Sequence, residues 1–270
     1  MKVAILAGGF GTRFAEETVY RPKPMIEIGG RPILWHIMMH YYGFGHSDFV
    51  LAVGYKSEVI KRWFVDMAEL EGDMRIQPHL GRVERFAKNA PNWTVDLVDS
   101  GLEANTGGRI KSLADTIGRE RFMLTWGDGV SDVNLDALLS FHRSHGKLAT
   151  MTAVLPPARF GQLSLDGARV VSFQEKPRTS EGWINGAFFV LEPEVFDYID
   201  GPDTQFEKAP LERLARDGQL MAYQHAGFWQ CMDSLSDKLK LEQMWESGRA
   251  PWVTWDKVSC KFSSPATAAM

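Results

Sequence analysis

The sequence predicts an α/β fold, a mostly parallel sheet flanked by helices with a mixed half behind it, on three observations. Residues 3–7 form an unbroken apolar run, the pattern of a short strand buried on both faces. Apolar runs then alternate with helical patterns across short connections, which implies a parallel sheet with right-handed crossovers. From Ala149 the rhythm changes to short strands set off by Pro156, Pro157, Gly161, Gly167 and Gly182.

Gly8, Gly9 and Gly11 follow the first strand, then Thr12 and Arg13, and later Lys23 between Pro22 and Pro24. Glycines after a buried strand let backbone N–H groups approach an anion, and the two cations supply the charge that several phosphates need. A tight turn with ordinary surface cations is the bland alternative. Thr12-Arg13 together with Arg21-Pro22-Lys23-Pro24 favours the nucleotide site. It is not a dinucleotide loop, since Phe14 stands where the third glycine belongs, and no Gly-Lys-Ser or Gly-Lys-Thr of a P-loop occurs.

A helix is expected over 32–42, a strand over 48–53, and a helix over 57–67 with Val59, Ile60, Phe64 and Met67 on one side. His36 and His40 are spaced to share a metal, but no Glu follows His36 and the face is rich in Met and Tyr, so they read as packing. Residues 71–93 break the rhythm with Arg82, Arg85 and Lys88, and read as a hairpin or loop at a subunit contact. Further strands are expected at 74–77 and 94–98. Thr106, Gly107, Gly108 and Arg109 then lead into a helix over 110–117, where the glycine pair would expose N–H groups as a second wall of the site.

The strand over 122–126 ends in Gly127-Asp128-Gly129. A carboxylate at the C-terminal end of a buried parallel strand sits where open α/β sheets place ligands, and flanking glycines leave it accessible to magnesium. A helix over 134–145 should turn His142 and His145 to solvent. Strands follow over 149–155, 170–173 and 184–191, with helices at 194–199 and 207–216. A strand over 220–225 precedes Phe228-Trp229-Gln230-Cys231-Met232-Asp233, which enters a helix running to Trp245. Residues 259–270 read as a loose tail.

Composition excludes several classes. Hydrophobic content of 44% and charged content of 24% are ordinary for a soluble protein. A net charge of -4 gives no general pull toward nucleic acid or membrane. Cys231 and Cys260 are too few and too distant for a disulfide framework or a cysteine zinc site. With no signal peptide and no apolar stretch of spanning length, the expected location is the cytoplasm.

The string Leu6-Ala7-Gly8-Gly9-x-Gly11-Thr12-Arg13 with Arg21-Pro22-Lys23-Pro24 resembles the signature of the sugar-1-phosphate nucleotidylyltransferases, which make NDP-sugars. The pattern recurs in Gly127-Asp128-Gly129, Glu175-Lys176-Pro177, Asn185-Gly186 and Asp233, over roughly residues 1–256. Within the family the likeness is greatest to its cytidylyl branch, which forms CDP-glucose. PKPMIEIGGRPILWHIM, Thr106-Gly107-Gly108-Arg109, Arg159-Phe160-Gly161 and Gly227-Phe228-Trp229-Gln230 carry it. Cys231 stands where the branch has proline and Ser131 where it has alanine.

The resemblance implies a single Rossmann-like domain over 1–256, its nucleotide half about 1–148 and its sugar half about 149–256, with a tail over 257–270. It implies CTP and α-D-glucose 1-phosphate as substrates, CDP-glucose and pyrophosphate as products, and Mg²⁺ held by Asp128 and Asp233. Leu6, Ala7, Gly8, Gly9, Gly11, Thr12, Thr106 and Gly127 would line the nucleotide, with Arg13 on the leaving pyrophosphate and Lys23 on the α-phosphate. Lys176 would hold the sugar phosphate and Glu175 the sugar hydroxyls. Asn185 and Gly186 would line the sugar or the nucleotide side. Arg109, a pure donor, would read cytosine O2 or N3 while carbonyls of the glycine loop accept from N4. Relatives of this kind form trimers or hexamers and feed CDP-deoxysugar synthesis for surface polysaccharide. A thymidylyl or uridylyl enzyme is the nearest alternative. A hydride-transferring dinucleotide enzyme is disfavoured, because no acidic ribose reader follows Val53-Gly54-Tyr55. A silent binding protein is disfavoured because Arg13, Lys23, Asp128, Lys176 and Asp233 are all present.

Overall fold

The chain is described from a computed structural model covering residues 1–9, 15–86, 91–156, 162–166, 168–174 and 182–255. Strand β1 (Val3–Leu6), every residue of it buried, lies within the main sheet. A short α1 (Ala15–Thr18) and a ribbon of β2 (Glu27–Ile28) with β3 (Arg31–Pro32) lead into α2 (Ile33–Gly43). Then come β4 (Asp48–Val53), α3 (Ser57–Leu70), a hairpin of β5 (Asp73–Gln77) and β6 (Arg82–Phe86), and β7 (Thr94–Asp99). Helices α4 (Thr106–Ser112) and α5 (Ala114–Ile117) precede β8 (Phe122–Trp126), β9 (Gly129–Ser131), α6 (Leu135–His145) and β10 (Ala149–Val154). The remainder is β11 (Gln162–Asp166), β12 (Arg169–Gln174), β13 (Ile184–Leu191), α7 (Ala209–Arg216), β14 (Leu220–His225), β15 (Trp229–Cys231) and α8 (Leu235–Glu246).

Seven strands pair in the order β14-β10-β13-β8-β1-β4-β7. All run the same way except β13, which is antiparallel to both β8 and β10. The alternation of side chains along β1 divides the core: Val3 and Ile5 pack with Ile33, Ile37 and Tyr41 of α2, whereas Ala4 and Leu6 pack with Ile110 and Leu113 on the other face. From β1 the chain moves outward through β4 to β7, then returns to lay β8 on β1's other side. That reversal makes a crevice beyond the C-terminal ends of β1 and β8, the usual ligand position in an open parallel sheet.

Several expectations need correction. Helix α4 begins at Thr106, so the glycine pair lies inside it, where the Gly107 and Gly108 N–H groups both donate to the Thr204 carbonyl, at 2.8 and 3.3 Å. A Cβ on Gly108 would collide with the Pro202 backbone. Here the glycines serve close packing and do not present amides to a ligand. His142 is buried, with Nδ1 2.8 Å from Thr150 Oγ1 and Nε2 3.1 Å from Glu192. His145 reaches the same Thr150 hydroxyl at 2.7 Å. His142 is therefore bonded into the sheet, whereas His145 is half-buried and Arg143 and Ser144 of the same turn are exposed. The helix expected at 194–199 is a 3-10 segment, Pro193–Tyr198.

His36 and His40 pack, as expected. His36 Nε2 donates to the Ile28 carbonyl at 2.8 Å, and its Nδ1 accepts from the Trp252 indole at 3.3 Å. His40 Nδ1 meets Thr254 Oγ1 at 2.8 Å. Burial pulls His36 down to about 4 and His40 to about 3, so both remain neutral at ordinary pH.

Candidate active site

Two cavities open on this crevice and share a wall. The first, ≈ 330 Å³, is lined by Leu6 at the end of β1 and residues 7–9 beyond it, Lys23 and Pro24, Thr106 and Arg109 of α4, Trp126 at the end of β8 with Gly127 and Asp128 beyond it, and Glu207 and Asp233. The second, ≈ 210 Å³, lies against Asn185, Gly186, Ala187 and Phe188 of β13 and Trp229 and Cys231 of β15. Trp126, Asp128 and Asp233 face both.

At the shared wall, Lys23 Nζ lies 2.7 Å from Asp128 Oδ2 and 2.5 Å from Asp233 Oδ1. Burial alone would lower this ammonium's pKa. The Asp128 charge and hydrogen bonds to both carboxylates outweigh it and hold the pKa above the usual lysine value. Lys23, expected on a phosphate, and the two acids, expected on a metal, gather into one cluster.

Each acid has its own support. Asp128 sits in the turn between β8 and β9, and its carbonyl accepts from Met232 N at 2.9 Å, tying it to the chain leading to Asp233. Asp237 Oδ2 accepts from Asp233 N at 3.1 Å and from Ser234 Oγ at 2.8 Å, while its Oδ1 accepts from Gln230 Nε2 at 3.1 Å. Ser131 Oγ donates to the Phe228 carbonyl at 2.8 Å, and Asp132 Oδ1 accepts from Phe228 N at 2.7 Å. The serine that departs from the resembled pattern thus fastens the start of β15.

Arg109 is 4% exposed. Its Nη1 donates to Ser100 Oγ at 2.7 Å and to the Gly101 carbonyl at 2.8 Å, and Nη2 donates to the Leu102 carbonyl at 3.0 Å. Three of the five guanidinium donors are therefore held by the loop after β7. Burial lowers its pKa, with Asp99 opposing. The guanidinium also lies over Gly8, where any Cβ would collide with Nη1. The Gly8 carbonyl accepts from Tyr55 N at 3.2 Å, which ties the first loop to the end of β4.

Asn185 lies where β13 bulges against β10. Its Oδ1 accepts from Ala187 N at 2.8 Å, steadying a residue with φ of 58°, which L-residues seldom adopt. The Trp229 indole donates to the Gly186 carbonyl at 2.8 Å and holds the bulge to β15. Gly11, Thr12, Arg13, Lys88, Arg159-Phe160-Gly161, Glu175 and Lys176 lie outside the described residues.

Glu207 was not anticipated: Oε2 accepts from Thr106 Oγ1 at 2.6 Å and Oε1 from Trp126 Nε1 at 3.1 Å. Cys231, noted above only as a departure from the resembled pattern, has its sulfur within 4.8 Å of one oxygen of each of Asp128 and Asp233, which lie as close to each other. Strand alternation could have hinted at this, since Trp229 and Cys231 share a face of β15.

The arrangement joins a glycine-lined cavity, a paired lysine and two acids able to hold a divalent cation. The nucleotidyl transferase family model matches residues 2–244. A glucose-1-phosphate cytidylyltransferase of Salmonella typhi is 50% identical over 257 residues, 95% of this chain and 100% of that protein. A probable glucose-1-phosphate cytidylyltransferase of Bacillus subtilis is 42% identical over 257 residues, 94% of this chain and 100% of that one. In fold, the chain is similar to a UDP-glucose pyrophosphorylase crystallised with UDP-glucose, with a TM-score of 0.64, 16% identity and coverage of 92% of this chain and 99% of that one. From sequence and fold together, the chain belongs to the nucleotidyl transferase family.

Proposed function

We propose that the chain transfers a cytidylyl group from CTP to α-D-glucose 1-phosphate, giving CDP-glucose and pyrophosphate. The carrying observation is the pair of cavities meeting at Lys23, Asp128 and Asp233, which suits two phosphorylated substrates whose phosphates must be brought together. Full-length identity of 50% to a cytidylyltransferase supports the choice of base and sugar.

A phosphate oxygen of the sugar attacks the α-phosphorus of CTP; a P–O bond forms there, and the bond to the β-phosphate bridge breaks to release pyrophosphate. The attacking monoester is largely dianionic near pH 7, with a second pKa of about 6, so no side chain need remove a proton. The barrier is the approach of one anion to another, and positioned cations lower it. On this reading Lys23 meets the α-phosphate, Arg13 the leaving pyrophosphate and Lys176 the sugar phosphate, while Glu175 accepts from sugar hydroxyls. The first cavity takes the nucleotide, with Arg109 at the base, and the second takes the sugar beside Asn185 and Gly186. The chemistry of the donor set suits a divalent cation, and Asp128 and Asp233 would hold it, magnesium supplying charge neutralisation between phosphates when bound.

The test is pyrophosphate release with each of the four nucleoside triphosphates and a panel of sugar 1-phosphates. CTP with glucose 1-phosphate should give the highest kcat/KM; a preference for UTP or dTTP would overturn the assignment. The compartment consistent with these substrates is the cytoplasm. We also read the β5–β6 hairpin as a contact between copies in a trimer or hexamer, because Ile76, Leu80, Val83 and Phe86 are exposed along it. Sedimentation showing only monomer at micromolar concentration would remove that reading.

A further inference from the structure

We propose that Cys231 completes, with Asp128 and Asp233, a three-ligand site for a thiophilic divalent cation such as zinc or cadmium, at the junction of the two cavities. The inference rests on the reading of Asp128 and Asp233 as cation ligands and extends it to sulfur. The two carboxylates already converge on one cation-sized point, because Lys23 Nζ contacts an oxygen of each at 2.7 and 2.5 Å. Cys231 joins them on the same side. Its strand pairs with β9 through Cys231↔Gly129, the residue after Asp128, and its side chain faces the second cavity together with Trp229.

The sulfur and the two carboxylate oxygens lie within 4.8 Å of one another. Bonds of about 2.0 Å to oxygen and 2.3 Å to sulfur place neighbouring tetrahedral ligands of zinc roughly 3.3–3.5 Å apart, so side-chain adjustments of about 1–1.5 Å close the site. Such an ion displaces the Lys23 ammonium, and the thiol releases its proton to solvent as the metal–sulfur bond forms. Magnesium gains little from a thiol because it prefers oxygen ligands, whereas zinc and cadmium gain a thiolate bond. The site therefore discriminates among divalent ions in a way that two aspartates alone would not.

The test is a cadmium titration of the full chain carrying Cys260→Ser, so that Cys231 is the sole thiol. The readout is the ultraviolet thiolate-to-cadmium charge-transfer band, with calorimetry for affinity. We expect one saturable equivalent with the band, loss of the band on adding Cys231→Ser, and cadmium weakened roughly tenfold or more by Asp128→Asn or by Asp233→Asn. A band that survives both aspartate substitutions at unchanged affinity would mean the thiol binds alone and would overturn the proposal. Cadmium binding that needs both aspartates but shows no band would also overturn it, leaving the carboxylate site intact. Manganese binding measured in parallel tests that carboxylate site separately, since its independence of Asp128 and Asp233 would reject the underlying reading itself.

Discussion

The two cavities are built by different means. The first is lined largely by chain that has just left parallel strands, the loops after β1 and β8, together with one turn of α4. The second is made by a bulge in the sheet's lone antiparallel strand and by a three-residue strand held over it through Trp229. Parallel strand ends point backbone groups and short loops in one direction, which suits a polyphosphate. A bulge turns side chains and carbonyls into a recess, which suits a ligand rich in hydroxyls. The shared wall should therefore be essential to turnover, while each cavity's own residues should affect one substrate at a time.

The largest effect is expected at that wall. Asp128→Asn and Asp233→Asn should each lower pyrophosphate release on the order of a hundredfold or more while circular dichroism stays unchanged. Near-normal magnesium-dependent rates in either variant would move the junction elsewhere.

Next comes the first cavity. Arg109→Ala should narrow the preference for CTP over UTP by roughly ten- to a hundredfold, because uracil N3 carries a hydrogen that opposes the guanidinium N–H. Lysine should not restore it, lacking the planar fork. Equal losses with both nucleotides would reduce Arg109 to its structural bonds with residues 100–102.

A smaller change is expected in the second cavity. Asn185→Ala removes the bond to Ala187 N, about 1 kcal/mol, and should raise KM for glucose 1-phosphate by roughly fivefold while leaving KM for CTP unchanged. Parallel rises in both KM values would mean that the cavities are not separate.

The least effect on turnover comes from residues outside both cavities. His36 and His40 titrate far lower in the fold than the ordinary histidine value, so between about pH 6.5 and 4 the unfolded chain binds more protons. Stability is therefore full above that window and is lost as pH falls through it, by up to about 1.4 kcal/mol per pH unit for each histidine. Urea midpoints measured from pH 7 to 5 should decline, and His36→Gln should flatten the slope. A flat wild-type profile would contradict the buried neutral state.

These differences also govern what the sequence discloses. The inner strands were legible because apolar runs such as Val3–Leu6 have the pattern of strands buried on both faces, whereas the edge strands β7 and β14 are mixed in sequence and half-exposed. Much of the first cavity's lining stood out too, because a short string of glycines follows β1 and another, with an aspartate, follows β8. What stayed hidden depends on partners remote in sequence. His142 has polar neighbours and a solvent-like helical spacing, yet Thr150 and Glu192 bury it. Gly107 and Gly108 resemble a ligand-binding turn until Thr204 takes their N–H groups. Glu207 gains meaning only through Thr106 and Trp126, and Cys231 only through the pairing of β15 with β9.

The ion pair between Lys23 and Asp233 bridges 210 positions of chain. Because synthesis runs from the N-terminus, Lys23 and Asp128 both leave the ribosome well before Asp233 does. On the proposed reading, the cluster at the junction of the two cavities is complete only once residues 229–233 return across the crevice. A chain ending before β15 would lack Asp233 and also Met232, Leu241 and Trp252, which are buried in the core on the α2 side of the sheet, so the second acid and that part of the core arrive together.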